Sequence, residues 1–322
     1  MYAEGMAEFI EKFNSVVPED AFTLPLEEQR RLYRSLPTFF VYQRPPGVRV
    51  RDAVVPGADG DVPVRIYSPA QPAGPGALCY VRGDGFCLGT LDTHDTVAAE
   101  LADRTGYPTV FVDVRSAPEH PFPAAVNDLR TVSEAIADRP EQFGMMPGPL
   151  GLVGDSSGGN LVVANCMLAR DHGGPEIACH GLVSPVLDFA RWKDEGPDAP
   201  ILSSGEMRLY ASYYTKNPEE LLNPLISPLR SARFDRLPPA TILATELDSL
   251  REDAVSYAQR LINVGVRVEL RVEPGLVHAP LRARGMCAAA ARAWGDFCGS
   301  VGRLMRQFEP ATHATVASQA VN

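Results

Sequence analysis

The spacing of apolar positions changes character along the chain. Met6, Phe9, Ile10 and Phe13 recur at helical intervals over 5–14, and a second helical stretch over 26–36 carries Leu32 and Tyr33. Past residue 47 the period shortens. Arg49–Val55 and 62–67 are alternating and β-branched, with Gly57-Ala-Asp-Gly60 between them as a turn, which predicts a hairpin. From Leu78 onward short apolar runs alternate with helical patterns. Strands are predicted over 78–81, 109–114, 151–153, 181–183, 241–244 and 266–272, and helices over 93–105, 123–137, 158–171, 251–264 and 282–306.

This alternation implies an α/β fold, a mostly parallel sheet with helices on both faces. Residues 187–236 break the rhythm: they separate two strands by more than an ordinary crossover and contain a helical stretch over 205–214, the pattern of a lid or cap. The expected organisation is N-terminal cap helices over 1–46, a catalytic domain over 47–310 with 187–236 as a cap insertion, and a loose tail over 311–322.

Composition narrows the partners. The 322 residues carry 40 acidic and 30 basic side chains, net −10, which argues against nucleic acid or an anionic membrane as the main partner. No apolar run approaches the ~18 residues that span a bilayer. The N-terminus has no basic segment before an apolar one, so no secretory signal is expected. Cys79, Cys87, Cys166, Cys179, Cys287 and Cys298 are scattered, and Cys179-His180 is an isolated pair. Free buried thiols in a reducing cytoplasm are expected, and no metal site.

The chemistry concentrates in Gly154-Asp155-Ser156-Ser157-Gly158-Gly159-Asn160. It follows the apolar run 151–153 and opens a helical one, the strand–turn–helix setting of a nucleophile elbow. Such a turn exposes the Ser156 hydroxyl at the sheet's C-terminal edge and aims the helix N-terminus, with the Ser157 N–H, at developing negative charge. A serine needs a base held in one tautomer. His278 follows the strand over 266–272; His180 lies at a strand start and reads as structural, and His313 lies in the tail. Asp248, directly after the strand over 241–244, is the acid, with Glu246 as competitor. Each candidate falls at the C-terminal end of its own strand, where such sheets gather their sites.

Nearly the whole chain resembles the hormone-sensitive-lipase-like esterase branch of the α/β-hydrolase superfamily. The resemblance is carried by Arg82-Gly-Asp-Gly-Phe86, Gly89-Thr-Leu-Asp-Thr-His-Asp95, Ala117-Pro-Glu-His-Pro-Phe-Pro-Ala-Ala-Val-Asn-Asp128, Gly154 to Asn160, Asp248-Ser-Leu-Arg251 and Gly275-Leu-Val-His278. It implies about eight strands, a cap from the N-terminal helices plus the insertion, short- or medium-chain acyl esters as substrates, and no metal or organic cofactor. Ser156, Asp248 and His278 match the family triad, and pairing of two subunits through the last strand and helix is expected. The chain departs from the family at its His-Gly-Gly-Gly pattern, where it reads Arg82-Gly83-Asp84-Gly85. By position the oxyanion donors are the N–H groups of Asp84, Gly85 and Ser157. Three readings of the Asp84 carboxylate stay open: pairing with Arg82 or Arg115, neutralisation by burial, or contact with a positive or hydrogen-bonding group of the substrate.

His94 and His120 read as structural, Glu119 and Asp128 as loop ties, and Asp155 as ordering the elbow. Phe39, Phe40, Tyr42, Tyr210, Tyr213 and Tyr214 fit either an acyl pocket or cap packing, and the charged residues of 251–260 fit a solvated helix face. The leading function is an acyl-enzyme esterase. Its competitors are an acyl-transfer, lactone- or amide-cleaving or elimination enzyme on the same scaffold, and a ligand receptor that has abandoned catalysis.

Overall fold

The computed structural model describes residues 1–193 and 196–308; the tail expected over 311–322 lies outside them. The strands are β1 (Arg49–Val55), β2 (Val62–Ser68), β3 (Ala77–Val81), β4 (Thr109–Val112), β5 (Leu150–Asp155), β6 (Ile177–Val183), β7 (Ala240–Thr245) and β8 (Val268–Glu273). They form one sheet in the order β1-β2-β4-β3-β5-β6-β7-β8. The β1–β2 hairpin is antiparallel and β2 joins β4 antiparallel; every later pairing is parallel. The central strands are buried on both faces, which is why their apolar runs are continuous rather than alternating.

Two apolar clusters sandwich the sheet. Cys79 and Val81 of β3 join one, with α4 (Ala124–Asp138), α5 (Ser157–His172) and α7 (Arg251–Asn263). Their neighbours Leu78 and Tyr80 join the other, with α1 (Met6–Val16), α2 (Leu26–Phe39), α3 (Asp95–Thr105) and α9 (Ala288–Arg306). The period-two alternation of β3 thus serves both layers. Between β6 and β7 the chain carries α6 (Ser204–Tyr214), started by a capping box in which Ser203 accepts from the Glu206 N–H and Glu206 accepts from the Ser203 N–H.

Three expectations need correction. The helix expected over 282–306 is two, α8 (Pro280–Ala283) and α9. Between them the Gly285 backbone lies so close to Tyr42 that a Cβ there would sit 2.4 Å from the ring, so a distant segment sets the break. His180 lies within β6, fully buried, its Nε2 3.0 Å from the Tyr257 hydroxyl, and burial lowers its pKa to about 4. The face of α7 is not wholly solvated. Asp253 is buried, accepts the Leu187 and Asp188 N–H groups and pairs with Arg191 at 3.0 Å, tying the start of the insertion to the helix. Burial pushes its pKa up to about 7, against the opposing pull of Arg191. All six cysteines are buried and free.

Candidate active site

The chain leaves β5 through Ser156, whose φ of 48° and ψ of −118° form a strained elbow. Glycine is required around it: a Cβ on Gly158 would stand 2.2 Å from the Val81 carbonyl, and one on Gly154 would meet Gly158 backbone at 2.5 Å. Val183 accepts the Ser156 N–H at 2.9 Å, fixing the elbow to β6.

Asp248 and His278 arrive on the turns after β7 and β8. Those turns are bound together, the Leu247 N–H to the Leu276 carbonyl and the Gly275 N–H to the Glu246 carboxylate at 2.7 Å. Glu246, the competing acid, is spent on this tie. Asp248 Oδ2 lies 2.8 Å from His278 Nδ1, and His278 Nε2 lies 3.2 Å from Ser156 Oγ. Asp248 also accepts from Thr245 Oγ1 at 3.0 Å and the Leu250 N–H at 2.9 Å. Burial alone would raise its pKa; the facing His278 and these donors outweigh it, and the carboxyl sits below its ordinary range. Burial likewise resists protonation of His278, but Asp248, helped by Asp155 and Glu206, lifts its pKa above the ordinary histidine value.

The loop after β3 brings the altered residues alongside. Arg82 Nε holds Asp84 Oδ2 at 2.7 Å, Arg82 Nη1 holds Asp113 at 2.8 Å, and the Gly89 N–H donates to Asp84 Oδ2 at 2.8 Å. The Asp84 carboxylate therefore turns into the loop; Arg115 binds Asp128 instead. Asp155 accepts from the Tyr80 hydroxyl at 2.6 Å and the Gly83 N–H at 3.1 Å, and lies 3.6 Å from His94 Nε2. The Tyr33 hydroxyl donates to the Gly83 carbonyl at 2.8 Å. Of the three expected oxyanion donors, the Asp84 N–H is engaged: it donates to Ser157 Oγ at 3.0 Å. The Ser157 side chain, which the backbone-based expectation ignored, is the reason. Among the described residues the Gly85 and Ser157 N–H groups have no acceptor.

Ser156 and His278 open into a cleft. Phe13 and Val17 from the end of α1, Tyr33 from α2, and Ile201, Leu202 and Tyr210 from the insertion form much of its wall. Of the six aromatics singled out in the sequence, only Tyr210 lines it. Phe40 packs on Phe9, Tyr214 stacks on Phe86 at 3.7 Å, and Phe39 is exposed. In the sequence Phe13 and Tyr33 read only as helix-face residues. Glu119 pairs with Arg30 at 2.7 Å and Asp128 with Arg115, both as loop ties. Among the described residues no group of three or more His, Cys, Asp or Glu side chains is placed to hold a metal ion. Nor is any helix long and apolar enough to cross a membrane.

Residues 78–282 match the model of a family described as having the alpha/beta hydrolase fold. Carboxylesterase NlhH of Mycobacterium tuberculosis strain H37Rv is 35% identical over 271 residues, 81% of this chain and 84% of that protein. Esterase LipI of the same strain is 34% identical over 277 residues, 83% and 85% of the two chains. A solved hyperthermophilic esterase from Pyrobaculum calidifontis superposes with a TM-score of 0.86 at 28% identity, covering 94% of this chain and 99% of that one. The protein therefore belongs to the α/β-hydrolase family, in its hormone-sensitive-lipase-like branch.

Proposed function

We propose that the protein is a serine carboxylic-ester hydrolase that works through an acyl-enzyme. The observation that carries this reading is the continuous chain from Asp248 to His278 to Ser156, at 2.8 and 3.2 Å, opening into the cleft. Ser156 Oγ attacks the ester carbonyl and passes its proton to His278 Nε2. Asp248 holds the ring in the tautomer that leaves Nε2 free and offsets the imidazolium charge. The tetrahedral oxyanion takes the Gly85 and Ser157 N–H groups, and the Asp84 N–H joins them when the Ser157 hydroxyl rotates away. The C–O bond to the alcohol then breaks, with the proton returning from His278 to the leaving oxygen. Water, deprotonated by His278, releases the acid and restores Ser156. No step calls for a metal or organic cofactor.

The relatives' names, carboxylesterase and esterase, support the same substrate class. The segments over 1–46 and 187–236 act as a cap, since both supply cleft residues, and short-to-medium acyl chains remain the substrate class that the family resemblance implies. Six free buried thiols fit a cytoplasmic location. A homodimer through the outer strand β8 and α9 belongs to this reading, and light scattering behind a sizing column tests it.

The test of the function is twofold. A fluorophosphonate probe should label the protein at Ser156, and labelling should vanish in Ser156→Ala. Aryl esters of graded acyl length should be turned over, fastest at the short end. A folded protein that neither labels nor hydrolyses any of them belongs instead to the ligand-receptor class.

A further inference from the structure

Four arginines are buried among the described residues: Arg30, Arg82, Arg282 and Arg284. Three are neutralised by carboxylates. Arg30 meets Glu119 at 2.7 Å, Arg82 meets Asp84 at 2.7 Å, and Arg284 meets Glu100 at 2.9 Å. Arg282 meets none among the described residues. Its guanidinium lies over the Tyr33 ring at 4.9 Å, and Nη1 makes one long hydrogen bond of 3.4 Å to the Thr93 carbonyl. Nη2 has no partner among the described residues.

A buried ion without a counter-ion is among the costliest arrangements a protein can hold, and neither an aromatic face nor one stretched hydrogen bond replaces the lost hydration. The fold nonetheless holds it in place. Arg282 lies on α8, four residues beyond His278, and the Tyr42 hydroxyl donates to its carbonyl. It is also part of the wall of the catalytic cleft. The other cleft carboxylates are committed elsewhere: Asp84 to Arg82 and Gly89, Asp155 to Tyr80, Gly83 and His94, and Glu206 Oε2 to the α6 capping box.

We propose that Arg282 is the anchor for a carboxylate carried by the substrate, so that the preferred esters are acidic ones, such as monoesters of dicarboxylic acids. The planar guanidinium suits a carboxylate through paired N–H donors, and burial makes the pairing stronger than at a surface. The inference rests on the hydrolase reading for its substrate, and on the lone buried cation for its chemistry. The carboxylate can sit on the acyl or on the alcohol side of the scissile bond.

Two isosteric pairs of esters separate those sides, followed by pH-stat titration. Monomethyl glutarate is set against methyl 5-methylhexanoate for the acyl side, and carboxymethyl butyrate against isobutyl butyrate for the alcohol side. Rates are normalised to the Ser156 that a fluorophosphonate titrates. The wild type should favour the charged member of at least one pair tenfold or more in kcat/KM, mainly through KM. Arg282→Met should abolish that preference, and Arg282→Lys should restore part of it. Preference for the neutral member in both pairs, or an unchanged ratio in Arg282→Met, would overturn the proposal. A second measurement does not depend on turnover. Glutarate should raise the wild-type melting temperature and its diamide should not, so the anion site can be judged even in a protein that hydrolyses nothing. If Arg282→Met does not fold, the wild-type ester pairs and this thermal shift still decide, and no shift with glutarate counts against the site.

Discussion

Arg82 and Asp84 stand where the family carries histidine and glycine, and a double-mutant cycle tests whether they act as one unit. Both side chains are almost wholly buried, 2% and 4% exposed, and their contact is 2.7 Å. Replacing Arg82 by Met leaves the carboxylate with the Gly89 N–H as its remaining partner. Breaking a buried pair from one side costs about 3–5 kcal/mol in stability. Catalysis suffers separately. Bond lengths and one hydrogen bond put the carboxylate ~6 Å from the oxyanion that its own loop would bind. At an effective dielectric of ~20, that separation gives roughly 3 kcal/mol of repulsion, about a hundredfold in rate. Asp84→Gly is milder, because Arg82 keeps Asp113 at 2.8 Å and the Gly89 carbonyl at 3.2 Å. It should not accelerate hydrolysis, since the carboxylate already faces away from the hole. The assay is kcat on a short aryl ester, normalised to titratable Ser156, beside thermal melts. We expect a loss of about a hundredfold for Arg82→Met, under tenfold for Asp84→Gly, and recovery to within about tenfold of wild type in the double variant. Additive losses, or an Asp84→Gly enzyme faster than the parent, would refute the reasoning.

Other consequences can be measured more simply. Asp248→Asn should lower kcat by about 10⁴-fold while leaving fluorophosphonate labelling slow but detectable, because the His278 tautomer is no longer enforced. The acid limb of kcat/KM should lie above the ordinary histidine value of about 6.5, since His278 must be neutral to accept the proton and its neighbours favour the charged form. Gly85→Ala should cost a hundredfold or more in kcat, because φ is +63° there and a Cβ would stand 2.6 Å from the Tyr210 ring, displacing an oxyanion donor. Asp253 binds its proton more tightly in the folded state, at about 7 against 3.8 unfolded. Its contribution is therefore complete below pH 4 and is lost as pH rises through 7, by up to about 1.4 kcal/mol per unit. Asp253→Asn should remove that slope in denaturant titrations run from pH 4 to 8.

Elements and candidate catalytic positions are legible wherever the cause is local. The elbow and the short turns after β7 and β8 follow from glycine placement and strand ends, so the placement of Ser156, Asp248 and His278 at strand ends can be read from pattern alone. What the pattern missed was decided by distant partners. The break before α9 answers to Tyr42, far away in the sequence. Asp253 looked solvated because its neighbours Glu252 and Arg251 are, yet it turns inward to two N–H groups of the insertion. Nothing along the chain chooses among the three readings of the Asp84 carboxylate; Arg82 and the Gly89 N–H, which share it, do so only in the fold. Backbone position points the Asp84 N–H at the hole, but it does not show that the Ser157 hydroxyl accepts from it in the resting structure. Arg282 gave one signal, a cation in the apolar approach to the last helix, but a missing partner is visible only in three dimensions.

The buried thiols have a practical corollary. Burial raises the pKa of Cys79, Cys87, Cys166, Cys179 and Cys298, Cys179 to about 12, so these sulfurs stay protonated and shielded from maleimides in the native protein. A single cysteine introduced on the surface, for instance at the exposed Leu222 within the insertion, should then be the dominant site of dye attachment without stripping the native six, all of which are buried. That makes the parent sequence a ready background for attaching a single fluorescent reporter to the insertion.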